Sequence, residues 1–529
     1  MRLLKIFCLF LVLSLCILPV QRYFQLNTSI MDLGIFANQV FEPWFVDGRI
    51  YKVAFGHFQP YYLLLSSVYW LFSSPLFLIC LQMAIVLSSL FFLPEKKIED
   101  VLVFLLCYAV WYNALFDFHY DHLAIPLMMA FYYVLGKKRY RPAYALCILV
   151  ALIKEPFGLV CAFMGIYAAI KHRKWLPGML IFCFGFAYFY AATHWIIPAF
   201  TPGYDMFGAE KQAFAAGGSL MDIILYPLFQ FPDFVLSILS TPKWLYLAVL
   251  LASFGVVVPF FSPLELIPAL PMLGIALLAH NPNYYGYAHH YTAGVVAPFT
   301  VAFIYGYPRL LGLCTKSKAI AQRVTPKGYA ALVFVPVLAA HVLFAPSPLS
   351  RHFWTGEETR YHFSAYVPEK RNERIKSALR RFIPSDTKVV VSSQNTVNWG
   401  RLAHRTYFFP FPNGICDPGL QTYESGTLLE KEDCTCTRQA LKRVDINADG
   451  PIHALNQILL ENKTLKTKNV EAEYAIVDLQ RPLYLIDKKV SRECFQQVLK
   501  EVKKRFKVVY AHDGFYILQR TAEQTDITG

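Results

Sequence analysis

The polar C-terminal part of this sequence contains no GxGxxG, no P-loop and no H-E-x-x-H. Their absence removes the common phosphate-cradling and zinc-peptidase signatures. Nucleic-acid motifs are missing too, although a formal net charge of +14 invites the idea. Cysteine offers no zinc-site spacing. Eight of the 12 cysteines lie in or beside apolar segments, where the thiol behaves as a small hydrophobe. In the tail, Cys434-Thr435-Cys436 is too tight for a C-x2-C pair. No small-residue cleavage site precedes Gln21, so Arg2, Lys5 and the apolar run to Val20 read as a retained helix. No internal repeat is recognisable.

What is present is apolar. The 529 residues are 56% hydrophobic and 16% aromatic, concentrated before about residue 346. Several runs reach the roughly 20 apolar residues that cross a hydrocarbon core of about 30 Å. Helices are expected near 3–20, 74–93, 100–115, 121–136, 142–154, 156–171, 176–198, 243–261, 263–280, 290–312 and 328–346. Tyr61–Phe72 and Asp222–Ser240 read as re-entrant or interfacial. The fold class is therefore a polytopic α-helical membrane protein of about eleven spans.

Charge sets the expected orientation. With alternating helices, sixteen of the twenty-two Lys/Arg before residue 350 fall on one side, which is then cytoplasmic. Basic loops also explain the net charge without nucleic acid. Most acids divide the other way: Asp32, Glu42, Asp47, Asp117, Asp121 and Glu155 are among those outside, whereas Glu95, Glu99, Asp100 and Glu265 are inside. Acids barely steer topology, so their bias needs another cause, and a polar or ion-binding face supplies one. An odd helix count puts the tail outside. Val389–Ser392 and Tyr474–Asp478 read as buried strands, and Asp513-Gly514 marks a hairpin between Phe506–Tyr510 and Phe515–Gln519. Asn372–Phe382, Ile452–Glu461 and Arg492–Phe506 fit amphipathic helices. Residues 1–349 form the expected transmembrane domain, with a long first external loop at 21–60. Residues 350–529 form an extracytoplasmic α/β domain.

The stretch from Met31 to Pro60 is too long and too polar for a plain connector, since most links run about four to six residues. It carries Asp32, Glu42, Asp47 and His57, and long ordered loops tend to be functional. Three more polar stretches reach external helix ends: Phe116 to His122, Lys154-Glu155-Pro156, and Tyr284 to Tyr291 with His289-His290. Charges at membrane depth cost about 2.5–3.5 kcal/mol each and usually mark a cavity or site. Each has a plainer reading. Asp32 also suits the N-cap of a short helix, Asp117, His119 and His122 suit interfacial hydrogen bonds as well as a divalent metal, and Lys154-Glu155 suits a local ion pair as well as a phosphate clamp.

Met31-Asp32-Leu33-Gly34-Ile35-Phe36 with Gln39, Gly56-His57-Phe58-Gln59-Pro60, Phe116-Asp117-Phe118-His119, Lys154-Glu155 and His290-Tyr291 resemble a bacterial membrane family. That family is domain of unknown function 2079, grouped with the GT-C glycosyltransferases. Tail phrases Val389–Ser393, Leu402–Arg405, Tyr474–Asp478 and Asp513-Gly514 with Arg520 resemble its ending. Met31 stands where the family more often has Phe or Tyr, and Pro156 where it has an acidic or small residue. The resemblance implies a multi-pass protein of the cytoplasmic (inner) membrane. It would use a polyprenyl-phosphate sugar as donor and a glycan, lipid or protein as acceptor. Asp32 matches the general base by position, while His57, His119, Lys154, Glu155 and His290 are candidates for donor phosphate and substrate. A divalent metal on Asp117, His119 and His122 is the one candidate cofactor. The alternative is a transporter or flippase for lipid-linked sugars. One tail disulfide, Cys416 to Cys434 or Cys436, is expected, with Cys494 the fourth external cysteine.

Overall fold

The computed structural model describes residues 2–28, 33–34, 36–37, 40, 57–200, 225–226, 228–279, 282–316, 325–355, 361–387, 390–392, 399–407, 473–481, 484–485, 488–489 and 506–521. Asp32, the four tail cysteines, and the expected helices over 452–461 and 492–505 lie outside the described residues.

The helical part contains α1 (Arg2–Phe24), α2 (Tyr61–Leu71), α3 (Pro75–Ser88), α4 (Ile98–Leu106), α5 (Tyr108–Leu115), α6 (Ala124–Gly136), α7 (Tyr140–Ala151), α8 (Pro156–His172), α9 (Trp175–Ala191), α10 (Phe231–Ile238), α11 (Thr241–Ala252), α12 (Leu270–Leu278), α13 (Ala293–Lys316) and α14 (Pro326–Phe344). Among the described residues, four helices are long and apolar enough to cross a membrane. The number rises to six if each of two bent pairs is one span. Tyr140–Ala151, Pro156–His172, Pro263–Leu278 and Gly328–Phe344 are apolar but shorter.

Two local features shape this bundle. The α4–α5 pair bends by 58° at Cys107, where the helical ladder is interrupted and carbonyls lose their partners. Trp111 Nε1 donates to the Leu105 carbonyl at 2.6 Å, and His341 Nδ1 donates to that of Leu106 at 2.8 Å. The break is thus closed by side chains. Elsewhere α8 and α9 touch backbone to backbone. A Cβ on Gly165 would stand 2.5 Å from the Gly178 carbonyl oxygen, so only glycine permits this approach, the small-residue packing expected between apolar helices.

Helix α1 runs four residues beyond the expected end at 20. Gln21-Arg22 looked like the edge of the apolar phase, but Arg22 is buried against Asp117, which lets the helix continue. Beyond α14, helix α15 (Lys370–Phe382) packs on a mixed sheet built from β1 (Val390–Val391), β2 (Thr406–Tyr407) and β3 (Tyr474–Asp478). The strands β4 (Tyr484–Leu485) and β5 (Lys488–Lys489) form a separate pair, and β6 (Phe506–His512) and β7 (Phe515–Arg520) complete the main sheet. Its order is β2-β1-β3-β7-β6, with β1 parallel to both neighbours and β7 antiparallel to β3 and β6. The β6–β7 turn has positive φ at Asp513 (50°) and Gly514 (72°), as the Asp-Gly pair predicts.

The sheet is seated on the end of α1. Leu26 enters its core with Ile375, Leu379 and Ile517. Arg481 donates to Gln25 O at 3.1 Å and Asn27 Oδ1 at 2.8 Å, and Trp399 stacks on Tyr23 at 5.4 Å. One helix end therefore joins the bundle to the tail.

Candidate functional site

The site is organised from α3. Gln82 is buried in an otherwise apolar helix, and its amide nitrogen donates to carbonyls at the end of α5 and just past it: Asn113 (3.1 Å), Ala114 (3.2 Å) and Phe116 (2.7 Å). Its oxygen accepts from His119 N at 3.3 Å. These groups are orphans of a helix terminus, and Gln82 fixes the path of residues 113–119. Asn113 Nδ2 in turn donates to Thr292 Oγ1 at 2.9 Å, tying that path to the turn before α13.

Arg22 closes one flank. It donates to the carbonyls of Asn27 and Leu115, and its Nη2 lies 3.2 Å from Asp117 Oδ2. Both side chains are buried. A buried guanidinium requires such a partner, because an unpaired charge there is heavily penalised. Asp117 is thus in an ion pair, whereas the sequence had grouped it with His119 and His122.

Among the described residues, the ligand-type atoms that converge are those of His119, Asp121 and His290, all within 4.8 Å of one another. Asp121 Oδ2 is 3.4 Å from His290 Nε2 and 4.0 Å from His119 Nδ1. The His119 and His290 rings stack at 3.7 Å with 17° between planes. Phe116 lies 4.7 Å from His290, and Phe36, from the long stretch near Asp32, lies 5.0 Å from His119. His122 is buried beside them, 6.2 Å from His119 and 6.4 Å from His290 between ring centres.

The turn before α8 supplies the other candidates. Glu155 has 0% side-chain exposure; its Oε1 lies 2.7 Å from Nδ1 of His57, whose side chain is 39% exposed. Glu155 Oε2 accepts from Phe58 N at 3.0 Å. Burial pushes the Glu155 carboxyl up, but His57, Lys154 and the local backbone outweigh it and hold it below its ordinary value. Lys154 is half-buried and makes no hydrogen bond or ion pair among the described residues. Its charge reaches both Glu155 and His290.

Five of the sequence-predicted site residues, His57, His119, Lys154, Glu155 and His290, are therefore linked by contact or charge. Asp32 lies outside the described residues. Three participants carried no assigned role: Gln82, Arg22 and Asp121. A single amide in the run Pro75–Ser88 was a readable signal, since polar groups in apolar helices need partners, and so was an acid flanked by histidines at 119 and 122.

The family described as predicted membrane protein, DUF2079, matches residues 22–417, which is 396 of the 529 residues. No curated protein matches the chain.

Proposed function

We propose that this chain, which belongs to the DUF2079 family of predicted membrane proteins, is a GT-C-like glycosyltransferase. It takes a sugar from a polyprenyl-phosphate donor and acts at the external face of the cytoplasmic membrane. One observation supports this reading most: imidazoles, carboxylates and an ammonium from distant stretches meet at one end of the bundle. In this reading about eleven spans carry residues 1–349, and the domain 350–529 covers the external end. Asp32 removes the proton of an acceptor hydroxyl. That oxygen bonds to the anomeric carbon as the bond from carbon to phosphate oxygen breaks, and the electron pair leaves on the polyprenyl phosphate. Lys154, His57, His119 and His290 stabilise the departing charge, as preorganised donors and cations do, and Glu155 holds His57.

Incubation of the purified protein with radiolabelled polyprenyl-phosphate sugars tests the reading. Asp32→Asn is expected to abolish transfer with expression and donor binding nearly unchanged; unaltered turnover removes Asp32 as the base. Orientation is tested separately after removal of the endogenous cysteines. A cysteine in the Lys137–Arg141 loop is expected to resist an impermeant thiol reagent in intact cells, and one near Tyr204 to react. Reversed labelling inverts the topology.

A second reading, a transporter or flippase for lipid-linked sugars, is favoured by the two bent pairs, α4–α5 at 58° and α10–α11 at 62°, because broken helices line transporter sites. Against it, the α4–α5 break is closed by Trp111 and His341. Translocation of a fluorescent lipid-linked sugar in proteoliposomes without product formation would establish this second reading over the first.

A further inference from the structure

Among the described residues, one largely buried set combines convergent ligand atoms with unmet hydrogen-bonding capacity. His119, Asp121 and His290 bring theirs within 4.8 Å of one another. Among the described residues, the second nitrogen of His290, Nδ1, and both ring nitrogens of the neighbouring His122 are buried without a hydrogen-bond partner. Each such orphan costs about 1–3 kcal/mol, and native structures seldom leave one without an ion or a water to meet it. Two other histidines differ: His57 has Glu155, and His341 uses both nitrogens on Leu106 and Ser347.

We propose that His119, Asp121 and His290 hold one divalent first-row transition-metal ion. A tetrahedral ion with bonds of about 2.0–2.1 Å keeps its ligand atoms about 3.3 Å apart. Asp121 and His290 already stand at that spacing, at 3.4 Å, and the wider separations close by about 1.5 Å at most. Two imidazoles and one carboxylate suit zinc or iron(II), and disfavour magnesium or calcium, which take oxygen ligands. Gln82 holds the segment through His119 N, the kind of outer contact that orients metal ligands. Three protein ligands leave a position open, and with a polyprenyl-phosphate donor an anionic phosphate oxygen is the external ligand. That last step rests on the transferase reading; the ion itself does not.

The test uses the full chain without a polyhistidine tag, purified in detergent. Elemental analysis is expected to find about one zinc or iron ion per chain, three protein ligands being the usual open-site set. After chelation, Co2+ is expected to give a visible d–d absorption that saturates at the same ratio. Asp121→Asn and His290→Ala are expected to weaken Co2+ binding by more than about 100-fold, the upper end of what loss of a supporting contact alone costs. His172→Ala, whose ring packs on Tyr140, is expected to bind as wild type. Monodisperse elution and a cooperative melt certify each variant, and if one of the pair does not fold the other decides. Substoichiometric metal, with Co2+ held no more tightly by wild type than by a folded variant, overturns the proposal. An ion bound without sugar transfer counts against the transferase alone, and transfer without an ion counts against this inference alone.

Discussion

Two buried polar clusters sit at opposite ends of the same helices, and they differ in how fully they are satisfied. At one end Glu265, with 0% side-chain exposure, receives Lys171 Nζ at 2.7 Å and Ser262 Oγ at 2.6 Å. Arg309 donates to Ser262 Oγ at 2.9 Å, and Tyr132 donates to the Glu265 carbonyl at 2.6 Å. At the other end stand Glu155 and His290, with the orphan nitrogens of His122 beside them and Lys154, which has no partner among the described residues. Glu155 and Lys171 flank α8, and His290 and Arg309 flank most of α13. At 1.5 Å per residue those spacings are about 24 and 28 Å, close to a hydrocarbon core of about 30 Å. A saturated cluster at one surface behaves as a latch, whereas an unsaturated one is built to receive something.

The largest expected effect breaks the latch. Glu265→Ala strands Lys171 and Ser262, and breaking a buried pair costs about 3–5 kcal/mol. Lys171 is 29% exposed, so the lower end of that range is expected. Thermal melting in detergent should fall markedly, while Co2+ affinity at the opposite end stays as in wild type. An unchanged melting temperature would erase the distinction between the two ends.

The next effect sharpens the comparison from the open end. Gln82→Leu keeps the volume of α3 but removes the donors to three carbonyls and the acceptor of His119 N. We expect a loss of about 2–3 kcal/mol, since the stranded groups retain their desolvation cost. Co2+ affinity is expected to drop about tenfold, the lower end for loss of a supporting contact. Full retention of that affinity would mean that the path of residues 113–119 is held by packing alone.

The two clusters were not equally legible. Short motifs with a polar residue among aromatics disclosed His57, His119, Lys154 and His290, because such residues are costly at membrane depth. The strand at Tyr474–Asp478 followed from its continuous apolar run, and the Asp513-Gly514 hairpin from its turn pair, because its two strands are neighbours in sequence. Arg22 and Asp117 are 95 residues apart, so their pairing is a property of packing and could not be read locally; the expected end of α1 at residue 20 was early for that reason. The bend at Cys107 was unreadable too, since no proline or glycine marks it and its closing groups come from Trp111 and His341.

The smallest expected effect concerns acid, and it asks whether the open end is held by charge. Glu155 titrates below its ordinary value in the folded protein because His57 and Lys154 outweigh its burial. A carboxyl with a depressed folded pKa contributes stability that is complete above its unfolded pKa of about 4.3 and is lost as pH falls through the lower folded value. Glu155→Gln keeps the shape and can still accept from Phe58 N, but carries no charge to lose. At neutral pH the variant is expected to melt below wild type by an amount equivalent to about 1–2 kcal/mol, the usual worth of a charge-assisted hydrogen bond. Below pH of about 4 the two melting curves should converge, since wild type then approaches the uncharged state. A difference independent of pH would assign the contact to shape alone. A difference that widens with acid would reverse the sign, and Glu155 would then be a carboxyl that the fold stabilises in its neutral form.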